Sequence, residues 1–279
     1  MQILRDAASV RQFSRTEKSA SRTIAFVPTM GALHAGHIEL VRHARTLADT
    51  VVVSIFVNPM QFNVRSDFDR YPRDITSDSA MAEAAGVDAI YAPTADAMYP
   101  VGFDTKVHVD RTASPLEGAG RPGHFDGVAT VVAKLLNAVE PDFALFGRKD
   151  HQQLAVVSRM VRDLDMAVNI VAVETVREPD GLAMSSRNVR LTESERADAP
   201  VIHRALTLAR SLLLDGMDAE SARSAFLAEV ATVPSARVEY VSVADAVTLE
   251  ELTKADRNAV ISCAVWFGDV RLIDNVQVP

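Results

Sequence analysis

Two histidines, His34 and His37, stand three residues apart at the start of a predicted helix, so both rings can project from one side of its first turn. The unpaired N–H groups of a helix N-terminus bind phosphate, and imidazoles there add donors for charge that develops on a reacting phosphate. Two other interpretations stay open: either histidine can be purely structural, and His-x-x-His is also half of a zinc site. We rank zinc lower because no nearby cysteine or acidic partner completes such a site.

The surrounding sequence predicts a β-strand, a tight turn and a helix in one run. Residues 24–27 are apolar, as in a buried strand, and Pro28 is expected to end that strand because proline cannot donate to a ladder. Gly31 marks the turn, and apolar residues then recur at helical spacing through residues 37–48. A continuous apolar run at 51–57 predicts a parallel strand buried on both faces, which completes a βαβ unit.

Polar residues follow the second of these strands. Asn58 and Gln61 come directly after it, and Thr29 and Met30 follow the first. Because ligands bind beyond the carboxyl ends of parallel strands, all four are expected at one edge of the sheet. An ordinary polar turn is the alternative, but a glutamine in an apolar turn needs hydrogen-bond partners.

Three later segments carry cations in places that suit anionic ligands. Lys149 lies between the predicted strand 141–147 and a helix, where an ammonium can reach phosphates. Residues 184–188, Met-Ser-Ser-Arg-Asn, offer hydroxyls and one cation for clamping a triphosphate. The glycine-rich stretch 116–127 cannot be a regular element and is a candidate binding loop, whose Arg121 suits a carboxylate. The alternatives are that Lys149 is a solvated surface charge, that the arginine of 184–188 is incidental in a turn, and that 116–127 is a mobile connection.

Together these segments resemble one family. Pro28-Thr-Met-Gly-Ala-Leu-His-Ala-Gly-His37 is similar to the H-x-G-H signature of the adenylyl-transferring superfamily that includes class I aminoacyl-tRNA synthetases. In this fuller form it resembles the pantothenate synthetase family. Patterns of the same family follow in order at Asn58-Pro-Met-Gln-Phe62, Arg121-Pro-Gly-His-Phe-Asp-Gly-Val128, Phe146-Gly-Arg-Lys-Asp-His-Gln-Gln153 and Met184-Ser-Ser-Arg-Asn188.

The resemblance implies ATP-dependent condensation of (R)-pantoate with β-alanine to pantothenate, AMP and pyrophosphate, through a pantoyl adenylate and with Mg²⁺. It implies catalytic roles for His34, His37, Lys149 and Arg187. It implies ATP contacts at Met30, Gly31, His34, His37, Gly147, Lys149, Asp150, Val176, Met184, Ser185, Ser186 and Arg187. It implies substrate contacts at Pro28, Thr29, Met30, Asn58, Gln61, Arg121, His124 and Gln153.

The resemblance is weaker at three positions. Asp78 corresponds to a family position near the magnesium-phosphate site and is a candidate ligand, yet Ser77 and Met81 stand where polar or acidic partners are expected, so a solvated aspartate on a helix face is the favoured alternative. Arg148 and His151 replace residues that are more often acidic and aromatic in the family. The charge around Lys149 is therefore not fixed by the resemblance.

Composition bounds the remaining possibilities. The 279 residues, 48% hydrophobic and 24% charged, are typical of a soluble globular protein with one large core or two domains. A net charge of -8 disfavours nucleic acid or an anionic membrane as a partner. No apolar run is long enough for a membrane span, so a cytoplasmic location is expected. The single cysteine, Cys263, excludes an intrachain disulfide and is expected to be buried.

Residues 1–185 are expected to form a Rossmann-like, doubly wound α/β domain, with further strands at 87–92, 105–109, 141–147 and 167–176. A smaller α+β domain is expected at 186–279, with helices at 201–214 and 219–232 and strands at 237–243, 259–267 and 270–276. The resemblance implies that this domain acts as a lid. The G-x-G-x-x-G fingerprint of dinucleotide-binding proteins is absent from the sequence, which disfavours an enzyme that uses a nicotinamide or flavin cofactor.

Two other functions stay open beside the ligase. A nucleotidylyltransferase would share the histidine motif and leave AMP on a phosphorylated product, whereas a non-catalytic module would bind ATP without releasing pyrophosphate. The resemblance also implies a homodimer formed through the first domain.

Overall fold

The computed structural model describes residues 1–63 and 65–279, with the backbone alone at residues 65–67. Grouped by contacts, these residues form two compact units: 1–147 with 156–173, and 148–155 with 174–279. The domain boundary at residue 186 stays a prediction, while the division by contacts assigns residues 174–185 and the segment 148–155 to the second unit.

A parallel sheet forms the centre of the first unit. Its strands are β1 (Gln2–Leu4), β2 (Ile24–Thr29), β3 (Thr50–Ile55), β4 (Ala89–Tyr91), β5 (Phe143–Gly147) and β6 (Asn169–Val173). They are ordered β1-β4-β3-β2-β5-β6. The order reverses between β2 and β5, and open parallel sheets bind ligands beyond the carboxyl ends of the strands at such a switch point. Thr29 and the residues after it leave β2 at this position.

Helices flank this sheet and supply the rest of its core. They are α1 (Ala7–Ser19), α2 (Ala35–Leu47), α3 (Arg65–Arg70), α4 (Ile75–Ala84), α5 (Ala95–Met98), α6 (Glu117–Gly120), α7 (His124–Val139) and α8 (His151–Asp163), of which α8 crosses the division between the units. Leu40 and Val41 of α2 pack with Val27, Val53 and Ile90 of the strands. The apolar run of β3 is buried throughout except at its last residue, as expected for a strand covered on both faces.

An antiparallel sheet with three helices forms the second unit. Its elements are α9 (Glu193–Asp198), α10 (Val201–Leu214), α11 (Ala219–Val230), β7 (Ala236–Asp245), β8 (Ala259–Phe267) and β9 (Val270–Val278), with strand order β7-β8-β9. Leu206 and Phe226 of the helices pack with Ile261, Cys263 and Phe267 of β8 in one core. The predicted fold class, a Rossmann-like parallel sheet with a smaller α+β part, is confirmed.

Two predictions about strands were wrong. Residues 105–109 alternate in character but join no ladder, because the Val107 N–H donates to Thr130 Oγ1 at 2.9 Å instead of to a strand. Pro28 does not end β2, which continues to Thr29. Beyond Phe26 this strand pairs with β3 and no longer with β5, and a strand paired on one side tolerates a residue without an N–H.

The glycine-rich stretch 116–127 contains more regular structure than the sequence predicted. It forms the single turn α6 and the first turn of α7. Gly127 stands there because an added Cβ would lie 2.4 Å from the Met60 carbonyl oxygen, so only glycine permits this approach. The chain begins with the short edge strand β1, which the sequence analysis did not predict. No helix in the described part of the chain has both the length and the apolar character needed to span a membrane.

Candidate active site

The turn from β2 into α2 is strained and braced from a neighbouring helix. Gly31 and Ala32 have φ of +81° and +50°, a region that side chains rarely adopt. Asp78 of α4 accepts the Ala32 N–H at 3.0 Å through Oδ2 and the Leu33 N–H at 2.8 Å through Oδ1. Asp78 is 4% exposed, so the alternative of a solvated aspartate is wrong. Its carboxylate fixes the backbone that leads into the helix.

The two histidines close a capping box at the N-terminus of α2. Nδ1 of His34 accepts the Gly36 N–H at 3.1 Å, and Nδ1 of His37 accepts the His34 N–H at 3.3 Å. The ring centroids lie 4.1 Å apart. Because each Nδ1 is an acceptor, each neutral ring carries its proton on Nε2. The helix N-terminus therefore holds two imidazole N–H donors, which is an arrangement suited to phosphate.

Beyond β3, the side chain of Asn58 uses all of its hydrogen-bonding positions. Its Oδ1 accepts from the Met60 N–H at 3.2 Å and from the Tyr99 hydroxyl at 2.7 Å. Its Nδ2 donates to the Gly127 carbonyl and to Gln61 Oε1, both at 3.0 Å. Burial raises the pKa of the Tyr99 hydroxyl, so this group remains a donor. The polarity of the Asn58 amide is thereby fixed.

The hydrogen bond from Asn58 fixes the orientation of the Gln61 side-chain amide. Since Gln61 Oε1 faces Asn58, the Nε2 amide group faces away from Asn58 and lies 2.9 Å from the Met30 sulfur. A thioether is a weak acceptor, and a carboxylate or hydroxyl oxygen would be a stronger one. This geometry presents N–H donors to an incoming acid.

Arg121 and His124 both bind the main chain of Gln61. Arg121 Nη2 donates to the Gln61 carbonyl at 3.1 Å, and His124 Nδ1 donates to the same oxygen at 2.8 Å. His124 is 9% exposed and Gln61 is 8% exposed. His124 is the first residue of α7, and Arg121 lies just before this helix. Together the two side chains hold the turn that carries Gln61.

In the second unit, Lys149 lies in a short turn, Arg148–Asp150, directly after β5. The side chain is 17% exposed and its Nζ lies 3.6 Å from Asp150 Oδ1. Arg148 forms an ion pair with Glu174, with Nε 2.8 Å from Oε1. Arg148 stands where the family more often has an acidic residue, and Glu174 compensates its positive charge.

His151, at the start of α8, is neutral in this environment. Burial lowers its pKa, while its Nε2 donates to the Ala246 carbonyl at 2.9 Å. Its Nδ1 lies 3.4 Å from the Gln277 side-chain amide. An uncharged ring that packs and hydrogen-bonds here fills the place of the aromatic residue expected from the resemblance.

A hairpin presents the Met184–Asn188 segment. The Met184 N–H donates to the Val176 carbonyl at 2.9 Å, and Ser185 Oγ accepts the Arg187 N–H at 3.2 Å. Arg177, next to Val176, pairs with Asp274 of β9. The half-buried side chains of Ser185 and Arg187 thus stand on a hairpin that is tied to the sheet.

The predicted residues fall into two groups. The first unit brings together Pro28, Thr29, Met30, Gly31, His34, His37, Asn58, Gln61, Asp78, Arg121 and His124 around the ends of β2 and β3. Gly147 ends β5 in the same unit. The second unit contains Lys149, Asp150, Gln153, Val176, Met184, Ser185, Ser186 and Arg187. Gln153 therefore belongs to a different unit from the other residues expected at pantoate.

Three contributing residues were missed from the sequence. Tyr99 lies in Met98-Tyr99-Pro100, where nothing distinguishes it from a packing residue. Asp274 and Asn275 did carry a signal, because two adjacent polar residues interrupt a predicted strand of a buried sheet. In the described residues no group of three His, Cys, Asp or Glu side chains is arranged to hold a metal ion.

Known proteins resemble this chain over its whole length. The sequence profile of the pantoate-beta-alanine ligase family matches residues 2–277. The chain belongs to this family. A pantothenate synthetase from Geobacter sulfurreducens is 51% identical over 276 residues, which cover 99% of this chain and 98% of the relative. One from Moorella thermoacetica is 48% identical, with the same coverage.

Solved structures of the same family agree with this fold. The pantothenate synthetase of Thermus thermophilus superposes with a TM-score of 0.93 at 45% identity, covering 100% of this chain and 99% of that one. A pantoate-beta-alanine ligase from Francisella tularensis, complexed with beta-gamma ATP and beta-alanine, gives 0.79 at 34% identity, with 99% and 97% covered. The predicted family and the predicted enzyme class, a ligase, are confirmed.

Proposed function

We propose that this ligase condenses pantoate with β-alanine and consumes ATP, through an enzyme-bound pantoyl adenylate. The observation that carries the proposal is the capping box of His34 and His37, which holds two neutral Nε2–H donors at a helix N-terminus. The Francisella tularensis relative, solved with beta-gamma ATP and beta-alanine, supports these two molecules as ligands here.

The first step activates an unreactive acid. A pantoate carboxylate oxygen attacks the α-phosphorus of ATP, and the bond from that phosphorus to pyrophosphate breaks. His34, His37, Lys149, Ser185 and Arg187 stabilise the negative charge that spreads over the phosphates. His37 acts as a neutral hydrogen-bond donor in this proposal, because its Nδ1 already accepts the His34 N–H. The Gln61 amide N–H groups hold the pantoate oxygens.

The second step forms the amide. The β-alanine amine attacks the acyl carbon of the adenylate, the bond from that carbon to AMP breaks, and the amine loses its proton. AMP leaves readily because its phosphate carries the departing electron pair, whereas an oxygen of free carboxylate is a poor leaving group. The overall products are pantothenate, AMP and pyrophosphate.

Magnesium enters this proposal with the nucleotide. Mg²⁺ is usually held by one or two carboxylates together with substrate phosphates and water, and it neutralises phosphate charge. Asp78 stays a predicted ligand, but its burial and the two backbone N–H groups that it accepts fit a brace better than a metal ligand.

One assay tests the proposed function. ATP and pantoate are supplied with and without Mg²⁺ and β-alanine, and the nucleotides and acids are identified by mass. We expect pyrophosphate and a pantoyl adenylate without β-alanine, and free AMP with pantothenate when β-alanine is added. AMP retained on a phosphorylated product would indicate a nucleotidylyltransferase, and nucleotide binding without pyrophosphate would indicate a binding module. Omission of Mg²⁺ is expected to suppress the first step.

The homodimer and the cytoplasmic location also belong to this proposal. The homodimer is implied by the family resemblance, and the location is expected from the lack of an apolar run long enough to span a membrane. Sedimentation of the purified protein tests the dimer, and fractionation of cells tests the location.

A further inference from the structure

Two consecutive polar residues of β9, Asp274 and Asn275, are almost completely buried. They are 4% and 5% exposed in a sheet whose other buried positions are mostly apolar. Burying a carboxylate or an amide is unfavourable unless its hydrogen bonds are satisfied. Their partners therefore show what these side chains hold in place.

Asp274 holds the hairpin that carries the Met184–Arg187 segment. Its two oxygens pair with Arg177, from Nη1 to Oδ2 at 2.6 Å and from Nη2 to Oδ1 at 3.0 Å. The same guanidinium donates to the Gly181 carbonyl at 3.1 Å and to the Asn275 carbonyl at 3.3 Å. Arg177 pairs with Ala183 across this hairpin. The pair therefore ties both arms of the hairpin to β9.

Asn275 holds the turn that carries Lys149. Its Nδ2 donates to the carbonyl oxygens of Arg148 and Lys149, each at 2.8 Å. Its own N–H donates to Asp274 Oδ1 at 2.8 Å, so the two side chains belong to one network. Adjacent residues of a strand normally face opposite sides of a sheet, and here each of them reaches a different segment.

We propose that Asp274 and Asn275 form a junction that sets the spacing between the two triphosphate-binding segments, Lys149 and Met184–Arg187. The inference rests on the proposed function, which assigns the ATP phosphates to these segments. Cations stabilise a reacting phosphate only when they are held in position beforehand, because reorganising them would cost the energy they supply. Asp274 and Asn275 are positioning residues and touch no substrate in this scheme.

Binding measurements on folded variants test the junction. Asn275→Leu removes the donor and keeps the branched shape of the side chain, while Asp274→Asn removes the charge and keeps the shape. We expect affinity for ATP, measured by calorimetry without pantoate, to fall roughly tenfold to a hundredfold. Affinity for adenosine, which has no phosphate, should stay unchanged. The KM for pantoate should also stay unchanged, whereas the single-turnover rate of adenylate formation should fall.

A matched control lies on the same sheet. Glu239 of β7 forms the same kind of two-point pair with Arg271 of β9, with Nε to Oε2 and Nη2 to Oε1 both at 2.9 Å. Glu239→Gln disturbs a carboxylate–guanidinium pair whose carboxylate also accepts the Trp266 indole N–H of β8. It should leave the affinities for ATP and adenosine at the wild-type level.

Three outcomes overturn the junction: wild-type ATP affinity in the folded variants, an equal loss of adenosine affinity, or the same loss in Glu239→Gln. If Asn275→Leu does not fold, Asn275→Ser supplies the comparison, because its hydroxyl is too short to reach both carbonyls. The proposed function is judged separately, on whether the wild-type chain forms AMP and pantothenate. A wild-type enzyme that does so, with unaffected variants, would disprove the junction alone.

Discussion

The orientation of a single amide decides what Gln61 offers to a ligand. Asn58 can satisfy Tyr99, Met60 and Gly127 together only with its oxygen toward the first two and its nitrogen toward the third. That polarity turns the Gln61 oxygen inward and its N–H groups away from Asn58. Tyr99 is therefore expected to influence binding at Gln61 through Asn58.

Tyr99→Phe should weaken pantoate binding. The ring and its packing against Phe56 and Phe103 are retained, but Asn58 Oδ1 loses one of its two donors, which weakens the hold on the amide orientation that Gln61 follows. We expect the KM for pantoate to rise roughly tenfold, which corresponds to about 1.4 kcal/mol, with the KM for ATP unchanged. Steady-state kinetics with each substrate varied in turn measures both.

A double-mutant cycle with Gln61→Ala separates this influence from general damage. If Tyr99 acts through Gln61, Tyr99→Phe should add little once Gln61 has been removed. Additive effects on the KM for pantoate would show that Tyr99 acts by another route.

At the scale of secondary-structure elements, the start of α8 depends on an uncharged histidine. His151 donates to the Ala246 carbonyl, and burial lowers its pKa below the ordinary value of 6.5. The unfolded chain therefore binds a proton more readily than the folded chain. The stability that neutral His151 contributes is complete above about pH 6.5 and is lost as the pH falls toward its folded-state pKa.

His151→Gln should flatten this dependence, because glutamine can donate to Ala246 and does not titrate. We expect the wild-type protein to lose more stability than the variant between pH 7 and the acid range, as measured by urea unfolding across a pH series. Burial also lowers the pKa of His203, but His203 is present in both proteins and cancels in the difference. Parallel curves for the two proteins would contradict the assignment.

At the scale of the whole molecule, the glutamine proposed for pantoate and the later cationic segments proposed for the phosphates fall in different units. Gln61 and its supporting residues belong to the first unit, while Lys149 and the Met184–Arg187 segment belong to the second. Two single substitutions should therefore separate binding of the acid from stabilisation of the phosphates.

Lys149→Ala should cut adenylate formation about a hundredfold, or about 3 kcal/mol, because a cation that acts chiefly in the transition state is removed. Pantoate affinity should stay unchanged.

Gln61→Ala should weaken pantoate binding and leave the affinity for ATP unchanged. Single-turnover kinetics and calorimetry measure the two effects, with Lys254→Ala, an exposed lysine of the second unit, as the control. A wild-type single-turnover rate in Lys149→Ala would remove this lysine from the mechanism.

Local sequence patterns were sufficient where one physical preference dominated. The helix predicted at 201–214 and the strand predicted at 259–267 agree with the structure because apolar periodicity acts over a few residues. Residues 105–109 show the limit, since alternation predicts a strand but only a neighbouring strand can supply the ladder. Pro28 shows the same limit, because its effect depends on which sides of β2 are paired.

The sequence by itself determined the family, the order of the motifs and the residue types available for chemistry at an ATP phosphate. Only the tertiary structure decided the tautomers of His34 and His37, the direction of the Gln61 amide and the brace at Asp78. It also assigned Asp274 and Asn275 to the segments of Arg177 and Lys149, which lie about a hundred residues earlier in the chain. Hydrogen bonds between residues so distant in sequence follow from the packing of elements, and no local pattern contains them.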